Sequence, residues 1–311
     1  MSRQIRLVVN PSAGKGRALE LLPHVAGTLR DGGANLEILL SRDFAEAQSM
    51  ARRAIHDDVD VLAVMGGDGM MHLGVNTTAT AHLFSGSRTT LGLIPAGTGN
   101  DLCRGIGLDP RDAVAAAAVI AAGYSRALDL AQVGDTYVGA VLATGFDALV
   151  NRRANQMPWP RGSTRYAVAT MAELRVFSPL QYRLTLDGEV REEQAMLVAV
   201  GNTSSYGGGM LICPKADPYD GLLDVTIIHP VGRLKLLRLL PEMYSGSFVR
   251  EPCVEQLRVR EVTVEGPGLV GFGDGEMIAA APLKVCCVPG ALPVFTPEGR
   301  SRARMPVDDA R

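Results

Sequence analysis

The chain has 311 residues, of which 47% are hydrophobic and 21% are charged, and its formal net charge is −2. This length predicts two domains, and the composition is that of an ordinary globular protein. The near-neutral charge excludes a typical nucleic-acid-binding protein, which carries a basic excess, so no nucleic-acid partner is expected. Five cysteines without a C-x-x-C pair predict reduced thiols in the cytoplasm.

Strands and helices alternate in the first third of the chain. Apolar runs at 5–9, 36–40, 59–65 and 91–95 predict buried parallel strands. Apolar residues at helical spacing predict helices over 19–29, 45–55 and 112–122. This alternation predicts an α/β domain over residues 1–126, in which a doubly wound parallel sheet has helices on both faces.

The pattern changes from about residue 127 to short alternating runs separated by turn residues. It predicts an antiparallel β-sandwich domain over 127–290, with helical insertions at 165–177 and 233–244. Residues 291–311 are predicted to return to the first domain and then to fray. Because no stretch approaches the roughly 18 unbroken apolar residues of a membrane span, a soluble protein is expected.

Three loops rich in glycine and small polar residues directly follow predicted strands, at 10–16 (NPSAGKG), 66–69 (GGDG) and 95–101 (PAGTGND). Parallel sheets bind ligands at the carboxyl ends of their strands, and loop N–H groups and helix N-termini there can hold phosphate. One such loop is equally well explained as a strand-to-helix turn, but three together predict a nucleotide site. It is not a Walker A loop, because Val9 and Gly16 replace the required glycine and Ser or Thr.

Six motifs occur in order along nearly the whole chain: VVNPSAGKG, GGDG, LGLIPAGTGNDLCRGIG, GFDALVN, GNTSSYGGGMLICPKADPYDGLLDV and GFGDGE. With these motifs the sequence resembles the diacylglycerol kinase/sphingosine kinase family, most closely its bacterial soluble lipid kinases. GGDG alone is unspecific, since NAD kinases and phosphofructokinases carry it, but PAGTGND together with YGGGM and DGLLDV is specific.

The resemblance implies an activity and a place for it. The fold would be a doubly wound nucleotide domain followed by a β-sandwich domain, with the active site in the cleft between them. The activity would be transfer of the γ-phosphate of ATP, with Mg²⁺, to a hydroxyl of diacylglycerol or a related lipid.

The same resemblance implies which residues contact ATP. They lie in the three glycine loops and after the second strand: Asn10, Pro11, Ser12, Ala13, Gly14, Ser41, Gly66, Gly67, Asp68, Gly69, Met70, His72, Gly97, Thr98, Gly99, Asn100 and Asp101. Asp68 would engage the nucleotide and its Mg²⁺ surroundings. Asn100 and Asp101 would shape the third loop, and a helix N-cap is the alternative for Asp101.

Two acidic stretches of the second domain complete the implied site. Asp217, Asp220 and the Leu222 carbonyl would coordinate a structural Mg²⁺, and a plain hairpin turn is the alternative. Glu276 would be the general base that accepts the hydroxyl proton, with Asp274 beside it and a solvated hairpin as the alternative. A rival assignment makes Asp68 the base.

The sequence departs from the family pattern directly after GGDG. Met70, His72 and Leu73 stand where the family usually has Thr, Asn and Glu. His72 could replace the amide as a hydrogen-bond donor to phosphate, the loop could serve a different substrate, or catalysis could be weakened. The other intact motifs favour a working kinase over a non-catalytic nucleotide- or lipid-binding protein. They also disfavour an NAD-kinase-like enzyme with a soluble substrate.

Apolar and basic residues near the predicted cleft favour a lipid acceptor at a membrane surface. The apolar ones, each of which could instead lie in the core, are Met157, Trp159, Tyr166, Met171, Leu174 and Phe177. The basic ones are Arg152, Arg153, Arg161 and Arg165. The expected partners are ATP and a lipid, and a homodimer stays as an alternative to the monomer. The expected location is the cytoplasm with transient membrane association.

Overall fold

The computed structural model describes residues 2–146, 148–150, 153, 157, 172 and 178–299. Several predictions lie outside these residues: the helix at 165–177, the tail from 300, and the side chains of Arg152, Trp159, Arg161, Arg165, Tyr166, Met171, Leu174 and Phe177. Met157 is described, and it packs partly buried against a core cluster of the second domain.

The amino-terminal domain is an α/β domain. Its elements are β1 (Gln4–Val9), α1 (Arg17–Asp31), β2 (Asn35–Leu40), α2 (Phe44–His56), β3 (Val61–Gly66), α3 (Asp68–Ser85), β4 (Thr90–Pro95), α4 (Asp101–Gly105) and α5 (Ala113–Ala122). Strands β2, β1, β3 and β4 pair in parallel in that order. Helices α1 and α5 pack on one face and α2 and α3 on the other, which confirms the doubly wound prediction.

Short polar residues and glycines fix the helix ends in this domain. At the start of α2, the Asp43 carboxylate accepts a hydrogen bond from the Glu46 N–H. At the start of α5, the Asp112 carboxylate accepts hydrogen bonds from the Val114 and Ala115 N–H groups. Gly86 and Gly123 end α3 and α5 in the left-handed conformation. Because β1, β3 and β4 are adjacent and parallel, the loops that follow them meet at one edge of the sheet.

The carboxy-terminal domain is the predicted antiparallel sandwich. Its elements are β5 (Ser125–Val133), β6 (Thr136–Val138), β7 (Val141–Gly145), β8 (Leu180–Leu186), β9 (Glu189–Ala195), β10 (Leu197–Gly201), β11 (Leu223–Ile228), α6 (Arg233–Ser245), β12 (Val254–Val259), β13 (Glu261–Glu265), β14 (Val270–Gly273), β15 (Glu276–Ala280) and β16 (Leu283–Phe295). One sheet has the order β12-β11-β10-β7-β14-β15, and an aliphatic core separates it from the other.

Strand β16 belongs to both domains. It pairs with β13 and β5 in the sandwich, and near its end Val294 lies beside Leu91 of β4. One ten-stranded sheet therefore runs through both domains. The predicted boundary at residue 290 falls inside this strand.

Helix α3 carries buried residues around most of its circumference. They are Met70, Met71, Leu73, Gly74, Val75, Thr78, Ala79 and Ala81. The helix packs against the parallel sheet and against strands β6 and β16, so it is held between the two domains. Within the described part of the chain, no helix is both long and apolar enough to cross a membrane.

Candidate active site

The three glycine loops lie against one another at the carboxyl edge of the parallel sheet. A Cβ on Gly97 would overlap the Cα of Gly67, so the second and third loops touch backbone to backbone. A Cβ on Gly14 would overlap the carbonyl oxygen of Ala96, and Gly14 has a φ of 59°. Close approach therefore requires glycine at Gly97, and approach and conformation both require it at Gly14. The result is a backbone-lined surface beside the N-terminus of α3, which suits phosphate.

Asp68 begins α3, and its carboxylate organises the third loop. Oδ2 accepts a hydrogen bond from the Asn100 N–H at 3.1 Å, and Oδ1 accepts one from the Asp101 N–H at 2.9 Å. Burial, and then the charge of Asp101, raise the pKa of Asp68 to about 6, although the two N–H donors act against the shift. The group is therefore mainly ionised at neutral pH.

The buried side chain of Asn100 stabilises the third loop through hydrogen bonds to the backbone. Asn100 has a φ of 55°, a left-handed conformation that asparagine tolerates better than most residues. Its Nδ2 donates to the carbonyls of Gly97 at 3.0 Å and Pro110 at 2.9 Å, and its Oδ1 accepts from the Gly97 N–H at 3.3 Å. These bonds hold Gly97 in place against Gly67.

Asp101 ties the third loop to the second domain. Its carboxylate contacts Arg104 and accepts hydrogen bonds from the Ser205 hydroxyl at 3.2 Å and the Gly208 N–H at 2.7 Å. Helix α4 begins at Asp101 itself, so the helix N-cap alternative is wrong. The sequence reasoning missed Arg104, although its spacing of three residues from Asp101 is typical of an ion pair on a helix.

Polar side chains in the first loop and at Ser41 form hydrogen bonds close to the ends of β1 and β2. Asn10 Oδ1 accepts from the Ser12 N–H at 3.1 Å and from the Ser12 hydroxyl at 2.8 Å. The buried Ser41 hydroxyl donates to the carbonyl of Val9 at 3.1 Å. In the structure these groups shape the ends of β1 and β2.

The remaining predicted loop residues differ in their exposure. Ala13 is buried, Pro11 is half-buried and Thr98 is exposed at the tip of the third loop. Gly99 lies against the Asp68 carboxylate, where a Cβ would overlap Oδ2. Thr98 is therefore the predicted side chain of this loop that is free to meet a ligand.

Met70 lies in the core of the first domain. It is buried, and its side chain covers Gly66, where a Cβ would overlap it. Its side chain does not line the loop surface. Met70 therefore lies away from the surface where the other predicted nucleotide contacts lie. Gly66 accommodates Met70, and Gly67 and Gly69 are the partly exposed glycines of the loop.

His72 contacts the second domain. Its Nδ1 lies 3.1 Å from Asp274 Oδ2. The same carboxylate accepts hydrogen bonds from the N–H groups of Gly139 at 2.9 Å and Ala140 at 2.8 Å. The sequence suggested that His72 donates a hydrogen bond to phosphate. In the structure its Nδ1 instead contacts Asp274, and this contact joins α3 to the turn before Glu276.

The surroundings of His72 favour its charged form. Burial alone would lower the pKa of His72, but the hydrogen bond and charge of Asp274, together with the charge of Glu276, raise it. One turn later, Asn76 Nδ2 lies 3.3 Å from His72 Nε2. Asn76 Nδ2 also donates to the Tyr137 carbonyl at 2.8 Å, and Asn76 Oδ1 accepts from the Tyr137 N–H at 2.8 Å. A polar Asn in an apolar helix was the signal for this second link, and the sequence reasoning missed it.

Glu276 reaches the second glycine loop from the opposite domain. It is the exposed first residue of β15, and its Oε1 lies 3.4 Å from the position of a Cβ on Gly69. The turn before it holds Asp274 at a φ of 53° and Gly275 at 86°. The carboxylate therefore lies close to the loop, where it can accept a proton from a hydroxyl that enters beside the loop.

The acidic turn of the second domain is built around Arg258. The guanidinium contacts the Asp220 carboxylate and lies 3.6 Å from Asp224 Oδ2, and the strand register places Arg258 directly opposite Asp224. Asp220 Oδ1 also accepts from the Leu222 N–H at 3.0 Å. The Arg258 guanidinium would compete at Asp220 with a Mg²⁺ ion held by Asp217, Asp220 and the Leu222 carbonyl.

Known proteins match the chain in both domains. Residues 4–133 match the family model of the diacylglycerol kinase catalytic domain, and residues 140–296 match that of the YegS C-terminal NAD kinase beta sandwich-like domain. A diacylglycerol kinase of Mycobacterium tuberculosis is 38% identical over 300 residues, which cover 94% of this chain and 95% of the relative. A Stenotrophomonas maltophilia protein named "Probable lipid kinase YegS-like" is 30% identical over 305 residues, covering 94% and 96%.

A solved structure shares the two-domain fold. The crystal structure of a diacylglycerol kinase from Bacillus anthracis superimposes with a TM-score of 0.76 at 24% identity, covering 95% of this chain and 98% of that one. This likeness supports the fold, and the two family models and the relatives add the family. The chain therefore belongs to the diacylglycerol kinase family of lipid kinases.

Proposed function

We propose that this enzyme transfers the γ-phosphate of ATP, in the presence of Mg²⁺, to a hydroxyl of diacylglycerol or a related lipid at a membrane surface. The observation that carries the proposal is the Glu276 carboxylate of one domain facing the Gly66–Gly69 loop of the other. A phosphate group on the loop and an acceptor hydroxyl at Glu276 would then lie next to each other. The name of the Mycobacterium tuberculosis relative supports diacylglycerol as the acceptor.

Each loop would have a separate part in holding ATP. Gly67, Asp68 and Gly69 lie at the first turn of α3, where unpaired N–H groups and the helix dipole favour phosphate. Gly14 and Thr98 would border the same surface from the neighbouring loops. Bound Mg²⁺ would neutralise phosphate charge, and Asp68 is the carboxylate of the GGDG loop that could interact with it.

The chemical step would begin at the acceptor hydroxyl. The Glu276 carboxylate accepts the hydroxyl proton, the hydroxyl oxygen bonds to the γ-phosphorus, and the bond from that phosphorus to the bridging oxygen of ADP breaks. Asp274 does not touch the acceptor in this scheme. It is held by Gly139, Ala140 and His72, and so it positions the turn that carries Glu276.

Transfer of ³²P from ATP tests the proposal directly. The purified enzyme is incubated with labelled ATP and either extracted membrane lipids, purified diacylglycerol or NAD. Label in a lipid product supports the proposal, and diacylglycerol is the acceptor expected to react. Label in NAD alone would indicate a soluble-substrate kinase, and nucleotide binding without any transfer would indicate a non-catalytic protein.

Substitution of His72 tests the link between the domains. We expect His72→Leu to lower kcat about tenfold with near-normal ATP affinity, because Asp274 loses a donor and the Glu276 turn loosens. His72→Asn should retain most activity, since its amide can still donate to Asp274. Steady-state kinetics of both variants provide the comparison. Equal rates would mean that the residue at this position only packs.

The raised pKa of His72 also predicts a pH dependence of stability. The charged imidazole pairs with Asp274, so its stabilisation is fully present below the unfolded pKa of 6.5 and is lost as pH rises through the higher folded value. The Tm difference between wild type and His72→Leu should therefore be largest in acid and narrow towards alkaline pH. A Tm difference that grows with pH would contradict this assignment.

Asp220→Ala is predicted to act mainly on Mg²⁺ dependence and stability. If Asp217, Asp220 and the Leu222 carbonyl bind Mg²⁺, the ion should raise the Tm of the wild type and not that of the variant. Arg258→Gln, which removes the competing guanidinium, should enlarge the effect of Mg²⁺. Thermal stability that is the same with and without Mg²⁺ in all three proteins would identify a hairpin turn balanced by Arg258.

A further inference from the structure

Helix α6 has two apolar sides, and one of them faces solvent. Its inner side is buried in a core cluster of the second domain through Leu236, Leu239 and Met243. On its outer side, Leu234, Leu237 and Tyr244 are 80%, 38% and 57% exposed. A helix that serves only to cover a core has a polar outer side, so these exposed apolar residues require another explanation.

The outer residues of α6 form a stripe with arginines on both borders. At about 100° per residue, Tyr244, Leu237, Pro241 and Leu234 fall in that order within an arc of about 80°. Arg233 lies about 20° beyond Tyr244, and Arg238 lies about 40° beyond Leu234, with the exposed Ser245 at the helix end between Leu234 and Arg238. We name this surface, formed by the six residues Arg233, Leu234, Leu237, Arg238, Pro241 and Tyr244, the α6 face.

Negative charge is absent from the α6 face. The acid of the helix, Glu242, is partly buried and lies outside the arc, beyond Arg238. Lys235 lies on the same flank and is paired with Glu251 at 2.6 Å. An apolar stripe with exposed cations on either side complements a partner that has negative charges at its surface and an apolar interior beneath them.

One short segment links the end of α6 to the third glycine loop. The Met243 carbonyl accepts a hydrogen bond of 2.7 Å from the Leu211 N–H. In the same 206–213 segment, the Gly208 N–H donates to the Asp101 carboxylate at 2.7 Å. A single short segment therefore joins the end of α6, where Tyr244 is exposed, to the loop that carries Thr98.

We propose that the α6 face docks the enzyme on an anionic lipid bilayer. The stripe would insert among the lipid headgroups, and Arg233 and Arg238 would contact lipid phosphates at its borders. The inference rests on the proposed function in one respect, that the acceptor lies in a membrane. Docking near the cleft would bring the membrane-embedded acceptor within reach of Glu276.

Vesicle sedimentation of the full chain tests the α6 face. Wild type should bind vesicles that contain phosphatidylglycerol more tightly than vesicles of phosphatidylcholine alone, and salt should weaken the difference. Leu234→Gln combined with Leu237→Gln should lower binding at least about tenfold, because two leucines no longer leave water. The matched control is Phe84→Gln at the end of α3, where an aromatic side chain is 75% exposed and binding should not change.

A second set of measurements separates this proposal from the proposed function. Phosphorylation of a short-chain diacylglycerol dispersed in water should be unaffected in the double leucine variant, and its Tm should match the wild type. Loss of vesicle binding in that variant supports docking even if no lipid is phosphorylated. Unchanged vesicle binding overturns docking even if phosphorylation is normal. A dimer that the double variant converts to a monomer in sedimentation velocity also overturns it, because the face would then bind a second copy.

Discussion

Glu276→Gln is expected to lower kcat by at least about a hundredfold while ATP affinity stays near that of the wild type. Glutamine keeps the shape of the side chain and removes its ability to accept a proton. The carboxylate belongs to the second domain and lies beside Gly69, so it would meet the acceptor hydroxyl, and the loops of the first domain would hold ATP. Single-turnover measurements at saturating ATP isolate the chemical step that this variant should slow.

Asp68→Asn provides the comparison for Glu276→Gln. Both oxygens of Asp68 accept loop N–H groups, and an amide would turn one acceptor into a donor facing another donor. Asp68→Asn should therefore impair nucleotide or Mg²⁺ handling as well as turnover. A near-normal chemical step in Glu276→Gln would assign the general base to Asp68.

Gly97→Val is expected to abolish measurable ATP binding in a protein that still folds. Its side chain would overlap Gly67 and push the second and third loops apart, so the surface beside the first turn of α3 would open. Isothermal titration with ATP measures the loss, and circular dichroism checks the fold. Gly27→Ala is the matched control, because that glycine has open space around it in α1 and ATP affinity should not change.

Gly67→Val should also abolish ATP binding. The φ of Gly67 is −98°, which is open to any residue, so the expected effect does not come from backbone strain. A Cβ at Gly67 would make ordinary contact with the Gly97 Cα at 3.4 Å, so the effect is expected from the larger valine side chain, which would crowd incoming phosphate. Unchanged ATP affinity in folded variants at both glycines would overturn the cleft assignment.

The alternation of short periodic segments was enough to predict both domains. The parallel strands are buried on both faces, so their sequences are continuous apolar runs. The sandwich strands are buried on one face, so apolar and polar residues alternate along them. Helix α3 was not located from periodicity. It is buried nearly all round, so Met70, Leu73 and Val75 give no polar face against which a helical repeat could be recognised.

The backbone loops of the site could be predicted, but several of its side-chain contacts could not. Glycines after strands mark loops through local chemistry, whereas His72 and Asp274 meet across 202 positions of sequence. The place of Arg258 opposite Asp224 likewise depends on strand register, which a single sequence does not specify. His72 was recognised as unusual, and only the fold identified its partner.

The shared strand β16 has a consequence for dissecting the enzyme. The nucleotide domain is not a contiguous piece of the chain, since the edge of its sheet at β4 is covered by the end of β16, the last strand of the sandwich. A fragment ending at residue 126 would leave that edge unpaired and open to intermolecular strand pairing. The two halves are therefore synthesised in sequence but can complete their folding only together, once the last strand has been added.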